Sequence, residues 1–377
     1  MAKKSFDITL ADSQGTDILP MDPATFELDR YHEYEQALLE HNKEFWQSKS
    51  GVAVYRRFRV PEVFSYGCRD MKNSLELQLA ALNESMKCKS DIANFLEPWY
   101  GIGTAQSAFG IDYVWHDGQA PATMAPFTSI QEALSYDYVP IAETQIGRHT
   151  LEMIEYFLDK TKGKVPMSLT DVQSPLNVAA SLVDISSLFM EMYDNSKGYC
   201  SLLSIISDLL IQFTKQQMSL IGGALAKPGH GFASSRAFSG IGMSDDNALM
   251  ISNKMYENYE ITEREKIGAE FGGAVFHSCG DWSAKIKVIK KIKHLVMADG
   301  AFSEETDPGS NKDLELFRDE FVNTGIVLNA RIVGDVDTIL ENVQRLWTPG
   351  MKLVVVTYCK TVEEQEYAYH KIHEICR

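Results

Sequence analysis

Residues Ala274-Val275-Phe276-His277-Ser278-Cys279-Gly280-Asp281 decide the fold. A short apolar run stops at a His-x-Cys pair, glycine lets the backbone turn, and Asp281 or Ser283 can cap a helix starting at Ala284-Lys285-Ile286. That is a buried strand, a tight turn and a helix. Leu353-Val354-Val355-Val356-Thr357-Tyr358 is a second such run, ending at Cys359. Further short apolar runs lie at 92–96, 111–115, 165–170, 231–238, 294–298 and 326–332, which with 274–276 and 353–358 make eight candidate strands. Amphipathic stretches separate most of them, as in Ser201-Leu202-Leu203-Ser204-Ile205-Ile206-Ser207-Asp208-Leu209-Leu210, with Asp194 or Asn195 as its cap. Alternating strands and helices predict a parallel sheet, and eight units predict closure into an α/β fold, the (β/α)8 TIM barrel. Residues 1–90 differ: Asp29-Arg30-Tyr31-His32-Glu33-Tyr34-Glu35 has helical spacing, and Val52-Ala53-Val54-Tyr55 is an isolated strand-like run. The expectation is an N-terminal, mostly helical cap over 1–90 and a barrel catalytic domain over 91–377.

Composition narrows the function. The chain has 377 residues, 45% of them hydrophobic, and no apolar run long enough to span a bilayer. Met1-Ala2-Lys3-Lys4 leads into polar sequence rather than an apolar signal region, so a soluble, cytoplasmic protein with no membrane partner is expected. Six irregularly spaced cysteines argue against a disulfide framework and leave thiols available to metal. A formal charge of −16 and a pI near 5.0 argue against a nucleic-acid surface. A homo-oligomer is compatible with the sequence.

His277 and Cys279 can reach one tetrahedral zinc, and Cys359 can supply a third ligand. Both follow directly after their strands, at the barrel end where catalytic residues gather. Three protein ligands leave a coordination position open, as a catalytic zinc requires. Spacing alone is also compatible with a satisfied core histidine and two inert thiols.

Several segments carry a resemblance. Thr170-Asp171-Val172-Gln173-Ser174-Pro175-Leu176-Asn177, Gly240-Ile241-Gly242-Met243-Ser244-Asp245-Asp246-Asn247, Phe276-His277-Ser278-Cys279-Gly280-Asp281 and Ala330-Arg331-Ile332-Val333-Gly334-Asp335 occur in the order of the uroporphyrinogen decarboxylase (URO-D) superfamily. The chain resembles in particular its zinc-dependent, corrinoid-linked methyltransferase branch, from Asp91 to the C-terminus. The resemblance implies the same barrel, with His277, Cys279 and Cys359 as catalytic zinc ligands. It also implies methyl transfer between a corrinoid on a corrinoid-binding partner protein and a small thiol or methylated small molecule.

The decarboxylase branch, acting on a tetrapyrrole carboxylate, is the alternative. Its Arg-Gln-Ala-Gly-Arg run is absent here, and Arg56-Arg57-Phe58-Arg59, the nearest basic cluster, lacks that pattern and fits a solvated face equally well. Its Asn-Leu-Gly-His-Gly motif is replaced by Val356-Thr357-Tyr358-Cys359. Glu97, Asp171 and Gln173 are candidates for orienting substrate, placed by strand position alone, and each also fits the role of a structural cap or turn residue.

Overall fold

The computed structural model describes residues 14–377. Six strands form one fully parallel sheet: β1 (Gly51–Arg56), β2 (Ile241–Ser244), β3 (Ala274–His277), β4 (Leu295–Ala301), β5 (Val327–Ile332) and β6 (Lys352–Thr357), in the order β1-β6-β5-β4-β3-β2. The arc between β1 and β2 is closed by shorter pairings, with Leu96 bridged in parallel to Met167 and Met167 to Leu225. At the far side Gln173 bridges Ser244, which brings the ring back to β2. The chain is a (β/α)8-type barrel whose second and third strand positions are reduced to a few residues. Side chains knit the first of these seams. Asp91 accepts from the Val54 amide at 2.7 Å, while Asn94 donates to the Arg56 carbonyl at 2.8 Å and accepts from the Phe58 amide at 2.9 Å.

Three expectations need correction. β1 is the strand-like run assigned to the cap, and it pairs with β6 along its whole length, so the barrel starts at Gly51 and not at residue 91. Residues 111–115 form no barrel strand; Val114 and Ala122 exchange two antiparallel hydrogen bonds in a small hairpin. Residues 231–238 form a loop, because Ser235 pairs back to Lys227 and the Ser234 hydroxyl donates to the Gly229 carbonyl at 2.8 Å. Such local bonds compete with a ladder. The strand here is β2, a few residues downstream.

The helices follow their caps. Asn195 accepts from Gly198 N at the start of Ser196–Ile221, Ser174 and Pro175 open Pro175–Leu182, and Thr361 and Glu364 form a reciprocal capping box on Val362–Ile375. None of the helices of the described residues is long and apolar enough to cross a membrane.

Strand parity divides the core in two. Ala53, Tyr55, Val275, Met297, Val327, Val354, Val356 and Tyr358 pack inside the barrel, whereas Val54, Phe276, Ala298, Leu328, Ala330, Leu353, Val355 and Cys359 pack against the surrounding helices. Phe45 and Trp46, on the short helix Lys43–Gln47, join the interior cluster with Phe238 and close its N-terminal end. Lys352, at the first residue of β6, lies over the Phe45 ring and donates to the Trp46 and Ser48 carbonyls. The C-terminal end stays open.

Candidate metal centre and barrel mouth

Continuing the inward parity of Val275 past the end of β3 brings His277 and Cys279 into the mouth. His277 Nε2 lies 3.3 Å from Cys279 Sγ. Asp246, just beyond β2, joins them, so that one imidazole nitrogen, one sulfur and one carboxylate oxygen all lie within 4.8 Å of one another. Two ligands on a tetrahedral zinc, with bonds of about 2.1 and 2.3 Å, sit about 3.6 Å apart. The donors therefore fit such an ion with little movement.

The surroundings fix these donors. Asp246 Oδ1 accepts the Cys279 amide at 2.8 Å, which ties the two loops together. Its neighbour Asp245 turns the other way and is fully buried, accepting from Arg264 at 2.9 Å, Tyr256 at 2.8 Å and Ser174 at 2.7 Å. That anchorage aims Asp246 into the mouth. His277 Nδ1 is hydrogen-bonded to the Asp299 carboxylate on β4, which turns Nε2 toward the sulfur. A metal-ligating histidine is normally oriented in this way. Asp299 is itself held by the Asn329 amide and by Arg331 Nε at 3.1 Å. Burial penalises the Asp299 carboxylate, but Arg331 and His277 outweigh it and lower its pKa below the usual aspartate value. For His277 burial also opposes charge, yet the Cys279 and Asp299 charges raise its pKa well above the ordinary histidine value.

The opposite wall is a second polar network. Glu97 is buried and accepts from Arg57 Nη2 at 3.1 Å and the Gly231 amide at 3.1 Å, with His230 Nδ1 at 2.6 Å. Burial pushes its pKa up, but Arg57 and His230 more than compensate and hold it at about 2. Asp171 accepts from Gln173 at 2.9 Å and from the Trp99 indole at 3.3 Å. Asn177 links Gln173 to Asn247, next to Asp246. Both walls face one cavity of about 520 Å³, bordered also by Arg59, Phe232, Arg331 and an acidic rim of Glu304, Glu305 and Asp307.

The expected site is thus partly assembled. His277 and Cys279 come together, and Asp171 and Gln173 line the same cavity. Glu97 lies behind His230, buried. Cys359 does not join the donors. It packs on the outer face with Leu353 and Val355, its nearby charged groups are Arg56 and Glu364, and burial raises its thiol pKa to about 11. Asp246 stands where a third ligand was expected; the adjacent acids Asp245-Asp246 directly after a strand are the sequence signal that could have found it. Arg56-Arg57-Phe58-Arg59 is not a solvated face either. Arg56 and Arg57 are buried, and Arg57 and Arg59 border the cavity.

Residues 51–227 match the family model described as uroporphyrinogen decarboxylase (URO-D). The match begins at β1, upstream of the Asp91 limit read from the sequence. Among solved structures, a methyltransferase from Methanosarcina mazei superposes with a TM-score of 0.60 at 13% identity, over 98% of this chain and 99% of that one. That likeness is one of fold. No curated protein sequence matches the chain significantly.

Proposed function

We propose that this chain, whose residues 51–227 match the uroporphyrinogen decarboxylase family model, is a zinc-dependent methyltransferase moving a methyl group between a corrinoid and a small thiol or methylated small molecule. The corrinoid is carried by a partner protein or bound transiently. The observation that carries this reading is the convergence of His277, Cys279 and Asp246 at the open end of the barrel. An imidazole and a thiolate are zinc donors, a carboxylate completes a three-ligand set, and the cavity beside them leaves room for a substrate heteroatom. The fold shared with a methyltransferase is in keeping with it.

His277, Cys279 and Asp246 would hold the metal. Zinc so bound supplies Lewis acidity, which lowers the pKa of a thiol or polarises a methylated heteroatom. The protein's own contribution is geometric. Asp299 locks the His277 tautomer, Asp246 binds the Cys279 backbone, and Phe232, whose ring lies 6.0 Å from that of His277, shields one side. Gln173 and Asp171 offer polar contacts to a bound molecule from the facing wall.

The decarboxylase alternative draws on Arg57, Arg59 and Arg331 at the mouth. Arg57 and Arg331 are already matched by Glu97 and Asp299, and the rim carries three acids. A polycarboxylate therefore meets more repulsion than attraction, which favours methyl transfer. The test is to purify the protein without chelator, measure zinc, and follow dealkylation of methylcobalamin by its visible spectrum with small thiols, beside an assay for coproporphyrinogen formed from uroporphyrinogen. Methyl transfer requires close to one zinc per chain and a spectral change abolished by His277→Ala. Porphyrinogen turnover indifferent to zinc, with no corrinoid chemistry, selects the alternative.

A further inference from the structure

His230 is a titratable group of the mouth that the metal donors do not use. It sits in the loop between residue 226 and β2, with the Phe64 and Trp99 rings 5.2 and 6.4 Å away. Its two nitrogens face two carboxylates: Nδ1 lies 2.6 Å from Glu97 Oε2, and Nε2 lies 3.5 Å from Asp171 Oδ2. The Glu97 backbone is clamped by Gln78, whose side chain accepts from the Glu97 amide at 2.7 Å and donates to its carbonyl at 3.0 Å.

This arrangement fixes the tautomer. Glu97, whose pKa Arg57 and His230 hold at about 2, can only accept, so the hydrogen on Nδ1 points at Glu97 and Nε2 is the nitrogen placed to exchange a proton. Nε2 lies on the Asp171 side, where both residues border the cavity. When Nε2 takes a proton, Asp171 is in place to pair with the new N–H. A buried carboxylate behind one nitrogen, with the other at the cavity edge beside a second carboxylate, is a geometry in which an imidazole can exchange a proton with a bound molecule.

We propose that His230 is the acid–base group of this site, taking the proton of a thiol bound in the mouth, with Glu97 as the positioning residue. This deepens the methyl-transfer reading and rests on it. The S–H bond breaks, its electron pair stays on sulfur, and the proton goes to His230 Nε2. Sulfur then bonds to the methyl carbon of a methylcorrinoid as the cobalt–carbon bond breaks, its pair remaining on cobalt. In the opposite direction the His230 imidazolium returns the proton to the departing heteroatom.

The experiment counts protons. Zinc-loaded full-length protein is titrated with 2-mercaptoethanol by calorimetry at about pH 7.5, where a free thiol still carries its proton, in two buffers of different ionisation heat. The wild type should release fewer protons to the buffer than His230→Gln, the difference approaching one per thiol bound. His230→Gln should also slow transfer from methylcobalamin by about 100-fold or more with zinc content unchanged, and added imidazole should partly restore His230→Gly. If His230→Gln unfolds, Asp171→Asn serves instead, since it leaves the Glu97 contact intact and should weaken proton uptake. Equal proton release with and without His230, or transfer rates within a few-fold, overturns the proposal alone. A wild type that binds neither zinc nor thiol overturns the methyl-transfer reading and this proposal with it.

Discussion

Single residues divide at this site by a parity of one. Asp246 reaches the donors, while Asp245 beside it is consumed by Arg264, Tyr256 and Ser174. Cys359 is outward and Tyr358 inward on the extension of β6. Metal content should follow this division. Cys359→Ser is expected to retain close to the wild-type zinc, whereas Asp246→Ala should lose most of it. Loss of zinc in the Cys359 variant, with Asp246→Ala still loaded, would show that the thiol and not the carboxylate completes the ligand set.

At the scale of elements, the helix Ser196–Ile221 is tied to the segment Tyr256–Glu260 by a buried contact, in which the Tyr199 hydroxyl lies 2.5 Å from Glu260 Oε1. Burial, reinforced by nearby Asp245, raises the Glu260 pKa from 4.5 to about 8. The folded protein therefore keeps this proton where the unfolded chain has released it. Below about pH 4.5 both states are protonated and Glu260 costs nothing. As pH rises to about 8 the unfolded state ionises first, so stability falls through that window by an amount on the order of a few kcal/mol. Glu260→Gln should flatten the slope. Urea unfolding of both proteins at pH 5, 6.5 and 8 measures it, and parallel curves would show that Glu260 does not hold its proton.

At the scale of the whole molecule the two barrel ends have separate tasks. Phe45 and Trp46 seal the N-terminal end against Phe238 and Lys352, while the donors and the His230 network occupy the other. Phe45→Ala should cost roughly 3 to 5 kcal/mol, as truncation of a buried aromatic does. Zinc bound per folded chain should not change, because the plug touches no ligand. A thermal melt and a metal assay on one preparation test both halves, and a coupled loss of zinc from folded protein would contradict the separation.

Much of the barrel was legible in the chain itself. The runs at 274–276, 294–298, 326–332 and 353–358 are strands, because β-branched and apolar residues bounded by glycine, polar turns and helix caps permit little else. His277 and Cys279, fixed two residues apart beyond a strand, could be read as a converging pair. The assignments that failed lacked a local signal. Gly51–Arg56 looked like an isolated strand because its partner β6 lies some 300 residues away in sequence. Residues 111–115 and 231–238 read as strands but are held by local hydrogen bonds, one in a hairpin with Ala122 and the other in a loop closed on Lys227 and Gly229, which no periodicity records. The proposed third metal donor was missed for a sharper reason. A strand of a parallel barrel is buried on both faces, so Leu353-Val354-Val355-Val356 shows no alternation to tell inside from outside. Only closure of the barrel chose which parity faced the mouth, sending Cys359 to the helices and Asp246 to the site.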